Sequence, residues 1–209
     1  MATPPLTKRL PQQSRSRESW ERALQVGMEL FEERGWDGLT IAEVCKRASI
    51  SPPSLYARVA GKAEFFVAVH ERWLARIIQT EEELVAQHVQ PGTSDDDTIE
   101  VAVRVIAGIF SANEQAFRAV IARSTQDPDL LQRGSVASQA LLERLVATIF
   151  DGAENTHVAL RAVYAECLLR TTYGADFLSA SHEDQGDFEH RLVQLARRII
   201  LGSDCQDGR

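Results

Sequence analysis

Two helix starts stand only eleven positions apart in this chain, and that spacing constrains its fold more than any other feature. Thr40 and Glu43 form a capping box, with Leu39 and Val44 at the two hydrophobic-staple positions. Ser51 caps the next helix, and Pro52 sits in its first turn, where a missing N–H costs little. Between the caps, Ile41, Val44, Cys45 and Ala48 supply an inner face, and Ser49-Ile50-Ser51 is a turn with one apolar plug. Leu55 and Val59, four apart, face inward from the second helix. Pro53, Ser54, Ala57 and Arg58 are left looking outward, with Tyr56 to one side. The pattern predicts a short helix, a three-residue turn and a second short helix.

Longer helical periods flank this stretch. From Arg17 to Arg34, Trp20, Ala23, Leu24, Gly27, Leu30 and Phe31 recur at three- and four-residue spacing. Gly35 follows where a left-handed cap is wanted, and Asp37-Gly38 turns the chain. A helix from Lys62 to about Val89 carries Phe65, Phe66, Val69, Trp73, Ile77 and Leu84. The loop after it ends in Asp95-Asp96-Asp97, which lacks the spaced ligands of a calcium loop and reads as an acidic helix start. The rest repeats cap, helix and break: Thr98–Ser111, Asn113 to Arg123, Asp127 to Phe150, Asn155 to Leu178, and Asp184 to Leu201. The fold class expected is all-α, with about nine helices. Residues 1–15, with three prolines and Lys8, Arg9 and Arg15, read as a disordered basic arm. Residues 16–62 read as a three-helix domain and 63–209 as a helical body.

Charge is divided unevenly between these parts. Residues 1–62 hold 10 Lys and Arg against 7 Asp and Glu, whereas residues 63–209 hold 13 against 23, within a chain of net charge −7. Such asymmetry suggests a small basic reader on an acidic body. Three cysteines, Cys45, Cys167 and Cys205, are too few and too scattered for a disulfide framework or a zinc site. The N-terminus lacks a secretion signal and no apolar run is long enough to span a bilayer, so no membrane partner and a cytoplasmic location are expected.

Two short helices supported by a longer one fit the helix-turn-helix plan, in which the second helix enters the major groove of DNA. Small and polar side chains let a helix approach base edges, hydroxyls meet phosphates, and Arg58 offers a bidentate contact to guanine.

Residues Ala23–Trp73 resemble the DNA-binding domain of the TetR family of bacterial regulators. The resemblance rests on Phe31-x-x-x-Gly35, Thr40-x-x-x-Val44, Ala48 and Leu55-Tyr56-x-x-Val59-x-x-Lys62-x-x-Phe65. The family pattern has glycine at the position of Ser49, glycine near Pro53 and phenylalanine at Val59, so this chain departs from it three times. The resemblance implies that Thr40, Ser51, Tyr56 and Lys62 bind phosphates, and that Pro52, Pro53, Ser54, Ala57 and Arg58 lie at base edges. It implies that the body binds a small-molecule effector and forms a homodimer through the last two long helices. The stripes expected there are Leu160, Val163, Cys167, Leu168, Thr171 and Leu178, with Phe188, Leu192, Leu195 and Ile199. Trp73, Phe110, Phe117, Tyr164 and Tyr173 are candidate pocket aromatics, with His70 and Arg118 as polar handles.

The expected function is that of a dimeric, ligand-responsive regulator, a repressor released from a palindromic double-stranded DNA operator by a small molecule. An activator of the same architecture is the alternative. An all-α enzyme or a protein-binding adaptor fits less well: the five histidines show no metal spacing, and no phosphate loop or nucleophile motif is present. No cofactor, metal or catalytic residue is expected.

Overall fold

The computed structural model describes residues 12–88, 95–150, 154–177 and 182–202. These form nine helices and no strand. The chain divides into two compact units, the first ending at Trp73 and the second beginning at Leu74. The division falls inside a helix, eleven residues beyond the boundary expected from sequence. The reason is packing: Phe65, Phe66 and Val69, placed by sequence in the body, are buried in the first unit.

In the first unit, α1 (Gln12–Gly38) is longer than its apolar stripe and bends at Gly35, whose φ of 64° and ψ of −164° are open to glycine. The arm's residues 1–11 lie outside the described residues, and helix begins at Gln12, five residues before the expected start. α2 (Ile41–Ala48) and α3 (Pro52–Tyr56) follow, then the first half of α4 (Lys62–His88). Leu30, Phe31, Leu39, Val44, Ala48, Leu55 and Phe65 are fully buried together. α1 and α4 approach so closely at Gly27 that a Cβ there would lie 2.7 Å from Val69 Cγ2. Trp20 meets Phe65 edge-on at 5.9 Å, and Phe31 meets Phe66 at 4.6 Å.

In the second unit the remaining helices wrap α5 (Asp95–Ala112). Val101, Ala102, Val103, Val105, Ile106, Ala107, Ile109 and Phe110 are all buried, more of the circumference than one amphipathic stripe. A helix apolar all round belongs in a core. Around it stand α6 (Glu114–Ser124), α7 (Pro128–Ile149), α8 (Glu154–Tyr173) and α9 (Gln185–Leu201). The caps expected at Asp127 and Asp184 form, accepting from the N–H groups of Leu130 and Asp187 at 3.1 and 2.8 Å. Asn113 occupies the N-cap of α6 without capping it: its side chain donates backward to the Ile109 carbonyl at 2.9 Å. Asn155 lies inside α8, and that helix ends at Tyr173, before Gly174 at φ 94°.

Candidate nucleic-acid interface and body cavity

Thr40 caps α2 as its sequence requires, its Oγ accepting from the Glu43 N–H at 3.2 Å. Arg47 anchors that helix by pairing with Glu43 at 3.2 Å and Glu33 of α1 at 2.9 Å. Glu33 is held below the usual carboxylate range, first through its hydrogen bond from Arg47. At the far end Arg22 Nε donates to the Ala48 carbonyl at 3.1 Å, satisfying a terminal acceptor.

The turn then pivots on Ser49, at φ 53° and ψ 46° in the left-handed region. This is the position where the family pattern carries glycine, and the backbone adopts the glycine conformation regardless. The Ile50 N–H reaches back to the Cys45 carbonyl at 3.1 Å and closes the helix end.

Ser51 caps α3, its Oγ accepting from the Ser54 N–H at 3.4 Å and lying 2.8 Å from the Ser54 hydroxyl. Pro52 and Pro53 occupy the first two helical positions, where no intrahelical N–H bond is owed. The second proline therefore costs the reader no hydrogen bond. Leu55 and Val59 are buried, and every other residue from Ser51 to Arg58 is exposed, Tyr56 at 52%. An exposed tyrosine beside two prolines and two serines is not a core face. The six residues Ser51, Pro52, Pro53, Ser54, Tyr56 and Ala57 form one outward strip.

Two sequence-expected members are differently disposed. Arg58 lies in the turn after α3, its Nη2 donating to the Ser16 Oγ at 2.9 Å and the Ser16 carbonyl at 3.3 Å. Its guanidinium stacks 5.1 Å from the centroid of Trp20. Lys62 opens α4 with its ammonium 4.4 Å from the Trp36 ring centroid and donating to the Trp36 carbonyl. An ammonium has three donors, so Lys62 retains capacity for a phosphate.

The second unit holds a cavity of about 180 Å³ lined by residues of α5, α6, α8 and α9 with the turn after α8. Phe110 and Phe188 supply apolar wall, and Ser111, Glu114, Arg170, Thr171 and Gln185 supply polar groups. Of the expected pocket residues only Phe110 lines it. Phe117 stacks on Phe110 at 4.4 Å, Tyr164 stands edge-on to it at 5.0 Å, and Arg118 Nε donates to the Thr171 carbonyl at 3.1 Å. Phe117 and Tyr164 thus pack against the wall residue Phe110. Burial raises the Tyr164 phenol, whose oxygen lies 2.6 Å from the Ser138 hydroxyl. Tyr173 is exposed and stacks on Phe177 at 4.3 Å. His70 and Trp73 belong to the first unit, buried beside each other with ring centroids 5.6 Å apart. Arg170, Gln185 and Glu114 have no distinguishing spacing, so only the fold reveals them.

Of the residues expected in the dimer stripes, Leu160, Val163, Cys167, Thr171, Phe188 and Leu192 are buried within the chain itself. Leu168, Leu195 and Ile199 are half-buried, and Leu178 lies outside the described residues. The two stripes bury each other, because α8 and α9 pack side by side. Helical spacing puts a second run of small and apolar residues on the other side of α8: Val158, Ala162, Ala165, Leu169 and Thr172. All five are exposed or half-buried.

The fold is all-α and carries a capped helix-turn-helix whose second helix is exposed, the arrangement in which a helix can enter the major groove of DNA. Residues 23–69 match the family model for bacterial regulatory proteins, tetR family. The chain is 24% identical over 129 residues to the HTH-type transcriptional activator FasR of Mycolicibacterium smegmatis, covering 61% of this chain and 55% of that one. It is 41% identical over 49 residues to the HTH-type transcriptional repressor BdcR of Escherichia coli, covering 23% of this chain and 25% of that one. The matches thus span about half and a quarter of those relatives. A TetR-like transcriptional regulator from Rhodococcus sp. RHA1 shares the fold with a TM-score of 0.62 at 19% identity, over 93% of this chain and all of that one. Residues 23–69 are thus similar to the DNA-binding domain of the TetR family of bacterial regulators, and the chain as a whole shares the fold of a TetR-like regulator. Ser16 and Trp20 precede the matched residues, so the contacts of Arg58 reach outside the family domain.

Proposed function

We propose that the chain is a homodimeric repressor that binds a palindromic double-stranded DNA operator and releases it when a small molecule occupies the body cavity. The observation that carries this reading is the outward strip of Ser51, Pro52, Pro53, Ser54, Tyr56 and Ala57, held by only two buried side chains. Pro52, Pro53, Ser54 and Ala57 meet base edges, with alkyl contact to thymine methyls available to the prolines and alanine. Thr40, Ser51, Tyr56 and Lys62 meet phosphates.

One such reader makes few contacts, and pairing two about 34 Å apart matches successive major grooves. The mate packs on the second apolar run of α8. The effector enters the cavity among Phe110, Arg170, Thr171 and Phe188 and favours a conformer whose readers no longer fit one operator. Effector and DNA then oppose each other through a coupling energy of about 1–3 kcal/mol. An activator of the same build is the second reading, because FasR, the relative matched over more of the chain, carries that name.

Binding of the purified protein to DNA from the neighbourhood of its own gene tests the reading, by mobility shift at several salt concentrations. Sequence-selective binding that weakens steeply with salt is expected, and replacing Tyr56 and Lys62 together with alanine should weaken it for every sequence. Undiminished binding by that double variant refutes the docking.

A further inference from the structure

Resting on that reading, we infer that Arg58 does not read a base but braces the reading helix against α1, with Ser16 and Trp20 as its partners. The sequence suggested a bidentate contact from Arg58 to guanine. A guanidinium has two edges for such a contact, one formed by Nη1 with Nη2 and the other by Nε with Nη2. Both use Nη2, and Nη2 is the atom engaged by the Ser16 hydroxyl at 2.9 Å and the Ser16 carbonyl at 3.3 Å. Each edge therefore includes a nitrogen that already donates to Ser16.

Trp20 fixes the plane of the group. The guanidinium carbon lies 5.1 Å from the indole centroid, and Trp20 is itself set edge-on against the buried Phe65. A stacked, doubly bonded arginine gives up rotamer freedom, which is useful where it stiffens something that lacks support.

The reading helix is such an element. α3 is five residues long, and from Ser51 to Arg58 the one buried residue is Leu55. Val59, where the family has the larger phenylalanine, is a smaller plug immediately after it. Arg58 ties this end of the reader to a residue 42 positions earlier. The extra first turns of α1 thereby become part of the reading apparatus: Arg58, Ser16 and Trp20 are positioning residues, and base edges are left to Pro53, Ser54 and Ala57.

The test begins by selecting preferred operators from random DNA with the full-length parent. Affinity is then measured for every single base change with Arg58→Ala, Arg58→Lys, Ser16→Ala and Arg58→Ala/Ser16→Ala. A brace predicts that Arg58→Ala weakens binding to all sites by a similar factor, roughly three- to tenfold, the scale of one ordinary hydrogen bond. The order of base preferences and the salt slope stay unchanged. Arg58→Lys, which keeps a cation over Trp20 and a donor for Ser16, restores much of the loss, and the double variant is no weaker than Arg58→Ala. In the DNA-free protein the Arg58 side-chain proton resonances carry a ring-current shift that Trp20→Leu removes.

Loss of preference at one base pair in Arg58→Ala overturns the inference in favour of base reading. A salt slope smaller by about one overturns it in favour of a phosphate contact. Additive losses, or no ring-current shift, overturn the brace itself. If the parent selects no DNA sequence, the regulator reading fails and this inference falls with it.

Discussion

Arg144 of α7 clasps Glu81 of α4 through both carboxylate oxygens, with Nη2 2.6 Å from Oε2 and Nε 3.2 Å from each oxygen. The Glu81 side chain is only 6% exposed, and Arg144 is 39% exposed. A buried carboxylate depends on its partner more than a surface one does. Arg144→Ala should therefore lower the stability of the second unit by about 1–3 kcal/mol. Replacing Glu81 and Arg144 together with Gln and Met should cost less than Arg144→Ala alone. Chemical denaturation of the three proteins checks the order.

At Gly27 α1 lies so near α4 that a Cβ placed there would be 2.7 Å from Val69 and 2.8 Å from Phe65. Alanine gains about 1 kcal/mol of helix propensity, but the side chains it strikes sit in a packed core, where overpacking costs about 1–3 kcal/mol. A net loss is expected, read as a lower melting temperature for Gly27→Ala.

Ser49 holds φ 53°, where a side chain is disfavoured by roughly 1–2 kcal/mol. Ser49→Gly should stabilise the first unit by about 0.5–1 kcal/mol, part of the strain relief being offset by the freer unfolded chain. The same change should leave base preference intact, because Ser49 precedes the reading helix. A melting temperature that falls contradicts this account of the turn.

Glu183 is held below its ordinary value of 4.5, first by the hydrogen bond from Arg191, with Nε 2.8 Å from Oε1. Arg170 Nη1 adds a contact at 3.3 Å. A carboxylate depressed in the folded state contributes stability above its unfolded value and loses it as pH falls through the folded one. Stability should accordingly fall as pH drops below about 4.5, and Glu183→Gln should flatten that decline. Denaturation midpoints between neutral pH and pH 3 give the comparison.

Ala165 stands exposed in the middle of the second apolar run of α8, on the face away from Leu160, Val163 and Cys167. On the proposed dimer contact, Ala165→Glu should leave the helix content unchanged and turn a dimer into a monomer, with operator affinity falling together with it. Cys167→Ser would act differently. Cys167 is 2% exposed, with its thiol pushed up to about 12 by burial, so its replacement disturbs the core. Light scattering on both variants separates interface from core.

Much of this architecture was legible because it is written in local chemistry. Thr40, Ser51, Asp127 and Asp184 announce their helices by capping groups that act over three residues, and the structure forms those caps. The exposed strip of α3 follows from the inward pair Leu55 and Val59 by spacing alone. Asn113 shows the limit: the same residue type can cap forward or bond backward, and its neighbours decide.

The body was less legible, since a stripe such as Leu160, Val163 and Cys167 reads the same whether it faces the chain's own α9 or a second molecule. Arg58 belongs to the same class, because Ser16 is too distant along the chain for any spacing rule to connect them. Sequence by itself determined where the helices start, which face of each is apolar and that the second short helix turns its polar side outward. Tertiary structure alone decided what each apolar face packs against, which polar groups converge on the cavity, and that the arginine suited to guanine is tied to α1. The physical reason is range: caps and helical faces depend on residues one turn apart, whereas burial and hydrogen-bond partnership depend on what the whole fold brings near.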